Sequence, residues 1–207
     1  VVLVGDAEPA ANRDSQVRAR STPTHKAPAD VVIHWGSEPE IATDNWYADL
    51  DDDQAPDVAG GRLTADNAQE LTLMVRKILA YEAGLDQGDW RRRISFVAGV
   101  GGFGPLVDFL VETATKKFLS DGIPAAYCTT MTYGSWRSPY CPEPERFGDT
   151  AIDRFNEGCL FWIYIGHGDR GRLDQIRMPD GRYDILDNSS VCRIDVSQGA
   201  PIAVCLS

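Results

Sequence analysis

The sequence predicts an α/β fold built on a mainly parallel sheet, and three observations carry that prediction. Apolar runs without polar alternation, VVLV at 1–4, FWIYI at 161–165 and PIAVCLS at 201–207, suit strands buried on both faces. Segments with helical spacing and recognisable caps lie between such runs. The resulting order of strand, helix, strand, helix, strand is that of parallel sheets joined by right-handed crossovers. In such sheets functional groups collect at the carboxyl ends of the strands.

The elements follow in order. Residues 1–4 form a strand that stops at Gly5-Asp6, and residues 8–30, polar and holding three prolines, read as a loop. VVIHW at 31–35 predicts a short strand ending at Gly36, with His34 half-buried on it. The acidic stretch DNWYADLDDDQAPDVAGGRL, 44–63, reads as a solvated loop. From Asp66 the pattern is helical. Asp66 with Gln69 resembles a capping box, Leu71, Val75, Ile78 and Leu79 repeat on one face, and Gly84 stands where a C-terminal cap belongs. Trp90 and three arginines then lead into ISFVAGVGG, a strand followed by a glycine-rich turn. GVGGFG lacks the Lys-Ser/Thr of a phosphate loop and the GxGxxG register, so it reads as a turn. A second helix is expected over 105–120, on Leu106, Phe109, Leu110, Thr113 and Phe118, stopping at Asp121-Gly122. A strand over 125–129, a loop of prolines and aromatics, and a helix over 149–157 with Gly158 as its stop precede FWIYI. The chain opens without an initiator Met and closes on a strand pattern with no turn after it, which reads as a piece truncated at both ends.

Composition excludes several classes. With 43% hydrophobic and 25% charged residues the chain is not a disordered one. A formal charge of −11 opposes nucleic acid or an anionic membrane surface, because the phosphate contribution to such binding becomes repulsive. Arg91, Arg92 and Arg93 are the largest basic cluster, and no apolar run approaches the length that spans a bilayer. Five cysteines at wide spacing, without CxxC, and only three histidines offer no zinc ligand set. Cys159, beside a buried run, reads as a core residue, and Cys128 and Cys141 bracket a loop that a disulfide could close in an exported protein. Asp49, Asp51, Asp52 and Asp53 could gather a calcium ion, although the spacing lacks the glycine and terminal glutamate of an EF-hand.

One short motif carries chemistry. FWIYI ends in Gly166-His167-Gly168, a histidine at a strand end with no side chains beside it. Histidine is the side chain best suited to proton transfer near neutrality, and the backbone N–H of Gly168 could donate to an oxyanion. This chemistry suits acyl transfer, which needs a nucleophile. The strand at 201–206 is expected to end on the same rim, and Cys205 is the only cysteine near that end.

The chain resembles the gingipain-type cysteine peptidases, relatives of caspases and legumain. The resemblance rests on VVLVGDA, DLDDDQAPDVAGGRL, TADNAQELTLMVRKILAYE, WRRRISFVAG and YIGHG, in that order and spacing. It implies a caspase-like three-layer fold with helices flanking the sheet, an incomplete peptidase domain over 1–207 with subdomains at 1–85 and 86–207, and cleavage of polypeptides through a Cys/His dyad. It implies that His167 is catalytic and that Gly168 contributes to the oxyanion hole. It places the nucleophile about seven residues after the strand's proline; from Pro201 that is the position immediately after Ser207, leaving Cys205 as the best candidate within the sequence. It also implies export or a cell-surface location, no cofactor for catalysis, and a structural calcium on Asp49, Asp51 and Asp53. Two alternatives stay open: a degenerate peptidase fold used for binding or maturation, and a sortase-like transpeptidase.

Overall fold

The computed structural model describes residues 1–7, 16, 19, 21–29, 39–84, 87–99, 113, 117, 121–135, 138–169 and 171–206. The chain forms two compact units, Val1–Gly84 and Leu85–Ser207.

The first unit contains β1 (Val2–Val4), β2 (His25–Pro28), β3 (Glu40–Thr43), β4 (Gly61–Leu63) and α1 (Ala68–Ala83). β1 pairs in parallel with β4, and β2 pairs antiparallel with β3. Arg62 on β4 ties these pieces together. Its guanidinium donates to both carboxylate oxygens of Asp44 at 2.7 Å, to the Gly5 carbonyl at 3.0 Å and to the Thr22 carbonyl at 2.6 Å. A planar fork of donors is the side chain for such a task, because one group satisfies acceptors from three separate segments. The segment expected to be loop over 8–30 therefore includes β2, which the prolines of the region had concealed.

The cap of α1 lies one residue later than the sequence pattern suggested. Asn67 accepts the Glu70 N–H at 3.0 Å, and Glu70 reaches back to the Asp66 N–H at 2.9 Å, so the reciprocal box is Asn67 with Glu70. Gly84 closes the helix at φ 54°, the left-handed conformation that a glycine adopts without steric cost.

The second unit contains β5 (Arg93–Ala98), β6 (Cys128–Tyr133), α2 (Phe147–Asn156), β7 (Phe161–Ile165), β8 (Gln175–Met178), β9 (Gly181–Asp184) and β10 (Ile202–Leu206). Four of these make an all-parallel sheet in the order β10-β7-β5-β6. This is a mixed α/β architecture consistent with the caspase-like fold. Phe147, Ala151 and Phe155, spaced one helical turn apart on α2, pack with Val97, Trp162 and Tyr164 on one sheet face and with Ile176 and Ile185. Side chains of this size each contribute about 1.5–3 kcal/mol when fully buried.

Several sequence expectations shift here. The strand expected over 125–129 is β6, beginning at Cys128, and the helix expected to start at 149 starts at Phe147. The antiparallel hairpin of β8 and β9 was not anticipated, although Pro179-Asp180-Gly181 between them is a turn sequence. The expected strand at 31–35 with His34, and the GVGGFG turn beyond Gly99, lie outside the described residues. So does the helix at 105–120, except for Thr113 and Lys117, which are helical. Cys128 and Cys141 are not bridged: all five cysteines are free thiols. Cys159 is 1% exposed in the core, as its place beside a buried run implied. Among the described residues no helix is long and apolar enough to cross a membrane.

Candidate active site at the sheet rim

Because the four strands of the large sheet are parallel, their carboxyl ends share one rim. Ala98 pairs with Tyr133 and with Ile165, and Ile165 pairs with Leu206. The ladder continues one residue further on three strands. Gly99 N–H donates to the Ile165 carbonyl at 2.8 Å, Gly134 N–H to Ala98 at 2.8 Å, and Gly166 N–H to Leu206 at 3.0 Å. His167 is the next residue, exposed on the rim directly after a row of fixed backbone.

The chain beyond His167 is closed tightly. Gly168 bridges to Leu173, and Asp169 N–H donates to the Arg172 carbonyl at 2.8 Å. The Asp169 carboxylate accepts the N–H groups of Gly171 and Arg172 at 2.7 and 3.0 Å, and the Gly171 bond first of all holds its carboxyl below the ordinary range. Leu173 packs against the core, so the short loop carrying His167 is anchored at both ends.

Beneath this loop lies Tyr164, wholly buried on β7. Its hydroxyl donates to the His167 carbonyl at 2.6 Å and accepts the Asp174 N–H at 3.2 Å. Burial pushes the phenol up to about 12, so the hydroxyl keeps its proton across the working range. The glycine at 166 is required by this arrangement. A Cβ there would lie 2.6 Å from the Tyr164 hydroxyl and 3.0 Å from the Gly99 Cα, whereas one at Gly168 would make only ordinary contact, 3.5 Å from Leu173. Close approach, not a left-handed backbone, therefore selects glycine before the histidine.

Cys205 lies within β10, exposed, and pairs with Tyr164. It is three positions short of His167, about 10 Å along a strand at the usual rise per residue. Gly168 is exposed, and among the described residues no acceptor is bonded to its N–H. In the acidic tract the carboxylates that converge are Asp49, Asp51 and Asp57, with ligand oxygens within 4.8 Å of one another. Asp53 is not in this group. Its carboxylate turns to the Ala55 N–H at 2.9 Å, and Asp57 takes its place. Asp49 already accepts the N–H groups of Asp52 and Gln54, and Asp57 that of Leu50, which stabilises the loop without any ion. Clustered carboxylate oxygens are nonetheless the donor chemistry that a hard cation takes.

The family model of peptidase family C25, the gingipain family, matches residues 1–207, the whole chain. The chain belongs to peptidase family C25. No curated protein and no solved structure matches it. Membership of the C25 family supports peptidase activity of the cysteine type and polypeptide substrates at the level of the family. Sequence reading passed over Tyr164 and Asp174 as ordinary strand and loop residues. The signal was available: a tyrosine inside a run buried on both faces needs a partner for its hydroxyl.

Proposed function

We propose that this C25 domain is a cysteine endopeptidase whose general acid/base is His167 and whose nucleophile is a cysteine at the position immediately after Ser207. One observation supports the reading above the others. The parallel register of β10 with β7, in which Leu206 pairs with Ile165, would bring that position level with His167 if carried two residues further, which supports the reading. Cys205, the best candidate within the 207 residues, is then a non-catalytic strand residue.

The chemistry follows from these placements. The thiolate attacks the scissile carbonyl, forming a C–S bond. Negative charge develops on the carbonyl oxygen, where the Gly168 N–H can donate to it. The C–N bond breaks as the His167 imidazolium gives its proton to the leaving amine. Water, deprotonated by the neutral imidazole, then cleaves the thioester and restores the thiol. An exposed histidine at the rim is accessible to an extended polypeptide, and the net charge of −11 favours basic substrates. A sortase-like outcome uses the same steps with an amine in place of water, and product analysis with an added amine separates the two. Export or a cell-surface location, common among gingipains, fits the reading. Calcium, where bound, would be held by Asp49, Asp51 and Asp57 and would stiffen the 49–57 loop, with no part in the chemistry.

The test is hydrolysis of basic peptide substrates by the full-length protein and by His167→Ala, with folding followed by circular dichroism. The reading expects turnover to fall by at least 1,000-fold, as when one member of a catalytic pair is removed, with the spectrum unchanged. Retained turnover in His167→Ala would sink it, and absence of hydrolysis in the unsubstituted protein would favour the degenerate binding module.

A further inference from the structure

We propose that Tyr164 is a positioning residue that aims the oxyanion-hole N–H of Gly168 by holding the carbonyl of His167 inside the protein. The inference rests on the Cys/His reading above and extends it to how the hole is formed.

The carbonyl of His167 and the N–H of Gly168 belong to one peptide unit. In a planar trans peptide these two groups point in opposite directions, so fixing one fixes the other. The Tyr164 hydroxyl holds the carbonyl at 2.6 Å from a wholly buried position. The N–H on the opposite edge is thereby turned away from the core, and Gly168 is exposed with no acceptor among the described residues. An N–H beside the catalytic histidine that is fixed in advance is what electrostatic stabilisation of an oxyanion requires.

The hydroxyl is itself held from three sides. It accepts the Asp174 N–H at 3.2 Å, which leaves its own proton for the His167 carbonyl. A Cβ on Gly99, at the end of β5, would lie 2.9 Å from it, and a Cβ on Gly166 2.6 Å from it. Two glycines on neighbouring strands thus make the slot that the hydroxyl occupies. The Gly99 N–H, bonded to the Ile165 carbonyl at 2.8 Å, keeps those strands together. With one bond donated and one accepted, the hydroxyl joins the His167 turn to the residue before β8.

The experiment compares the full-length protein with Tyr164→Phe, Gly99→Ala and His167→Ala. Four readouts are taken: kcat and KM for peptide hydrolysis, affinity for a peptide aldehyde, the rate of alkylation of the nucleophile by iodoacetamide, and the thermal midpoint. A peptide aldehyde forms a tetrahedral adduct whose oxyanion uses the hole, whereas iodoacetamide displacement does not. Tyr164→Phe is expected to lower kcat about tenfold, less than the hundredfold or more for deleting an oxyanion donor outright. Aldehyde affinity should fall by a similar factor, with KM and the alkylation rate within about twofold of the unsubstituted protein. Gly99→Ala, whose Cβ would lie 2.8 Å from the Asp174 carboxylate and 2.9 Å from the hydroxyl, crowds both partners of this contact without altering β7; it should give the same split, and it carries the test if Tyr164→Phe does not fold. Unchanged kcat and aldehyde affinity in either folded variant, with His167→Ala inactive, overturns the role of Tyr164 alone. Equal losses in alkylation and turnover also overturn it, because they mean a general disturbance of the rim. An active His167→Ala removes the Cys/His reading and this inference with it.

Discussion

Leu206 pairs with Ile165 in parallel register, and the Gly166 N–H bonds to the Leu206 carbonyl at 3.0 Å, so β10 and β7 end on the same row of the sheet. Cys205 is one residue inside that row and His167 two residues beyond Ile165. Cys205→Ala is therefore expected to leave peptide hydrolysis by the full-length protein within about twofold, since changes at exposed positions are usually worth less than 0.5 kcal/mol. A loss of a hundredfold or more in kcat/KM would make Cys205 the nucleophile.

Cys159 should behave as an inert thiol. Burial pushes it up to about 11, which leaves roughly a hundredfold less thiolate than an ordinary cysteine has near neutrality. Native-state alkylation followed by peptide mapping is expected to modify the exposed Cys128 and Cys192 and to leave Cys159 untouched until the protein is unfolded. Equal rates at Cys159 and Cys192 would contradict its place in the core.

Arg62 and Asp44 predict an acid-sensitive first unit. The Arg62 hydrogen bonds hold the Asp44 carboxyl below its ordinary range. A depressed carboxylate adds stability above its unfolded pKa, and that stability is lost as pH falls through the folded value, here below about pH 4. Arg62→Met should cost about 2–3 kcal/mol in urea unfolding at neutral pH, since a charged donor is removed from several acceptors. The difference between the two proteins should shrink in acid by the share that Asp44 supplies, leaving what the Gly5 and Thr22 carbonyl bonds contribute; a gap that does not shrink at all would assign the effect to those bonds and to packing.

The Asn67–Glu70 box makes a simple energetic statement. Asn67→Ala is expected to destabilise the protein by about 1 kcal/mol, and Asn67→Asp or Asn67→Ser to restore most of it. Because Glu70 both donates to and reaches past Asn67, the double variant Asn67→Ala/Glu70→Ala should lose less than the sum of the singles. Strict additivity in denaturant unfolding would argue against a reciprocal box.

Calcium at the acidic loop is testable apart from activity. Among the described residues Asp51 accepts no hydrogen bond, so Asp51→Asn removes a ligand charge without breaking the loop's own bonds. Calorimetric titration should show calcium binding that Asp51→Asn weakens at least tenfold and Asp53→Asn leaves alone. No binding to the unsubstituted protein, or equal effects of the two substitutions, would leave the tract as a self-satisfied loop.

What the sequence disclosed follows from which interactions are local. Uninterrupted apolar runs and helical spacing were legible because burial on both faces, and on one helical stripe, leaves a periodic trace. The FWIYI strand, α2 and the cap at Gly84 were found in this way. β2 was missed because a strand containing Lys26 and Pro28 on a small two-stranded ribbon lacks that trace, and the convergence of Asp57 with Asp49 and Asp51 was not legible because it depends on how the loop closes. The place of His167 just past the end of a buried strand was legible from FWIYI and the glycines around it. Tyr164, whose buried hydroxyl bonds to the His167 carbonyl, was hidden among the apolar residues of the strand that precedes it.

The most direct measurement is mapping of the residue modified by a peptide acyloxymethyl ketone in the full-length protein, with and without His167→Ala. The account predicts a single adduct on a cysteine at the position immediately after Ser207, lost when His167 is replaced. An adduct on Cys205, or labelling that does not depend on His167, would contradict it.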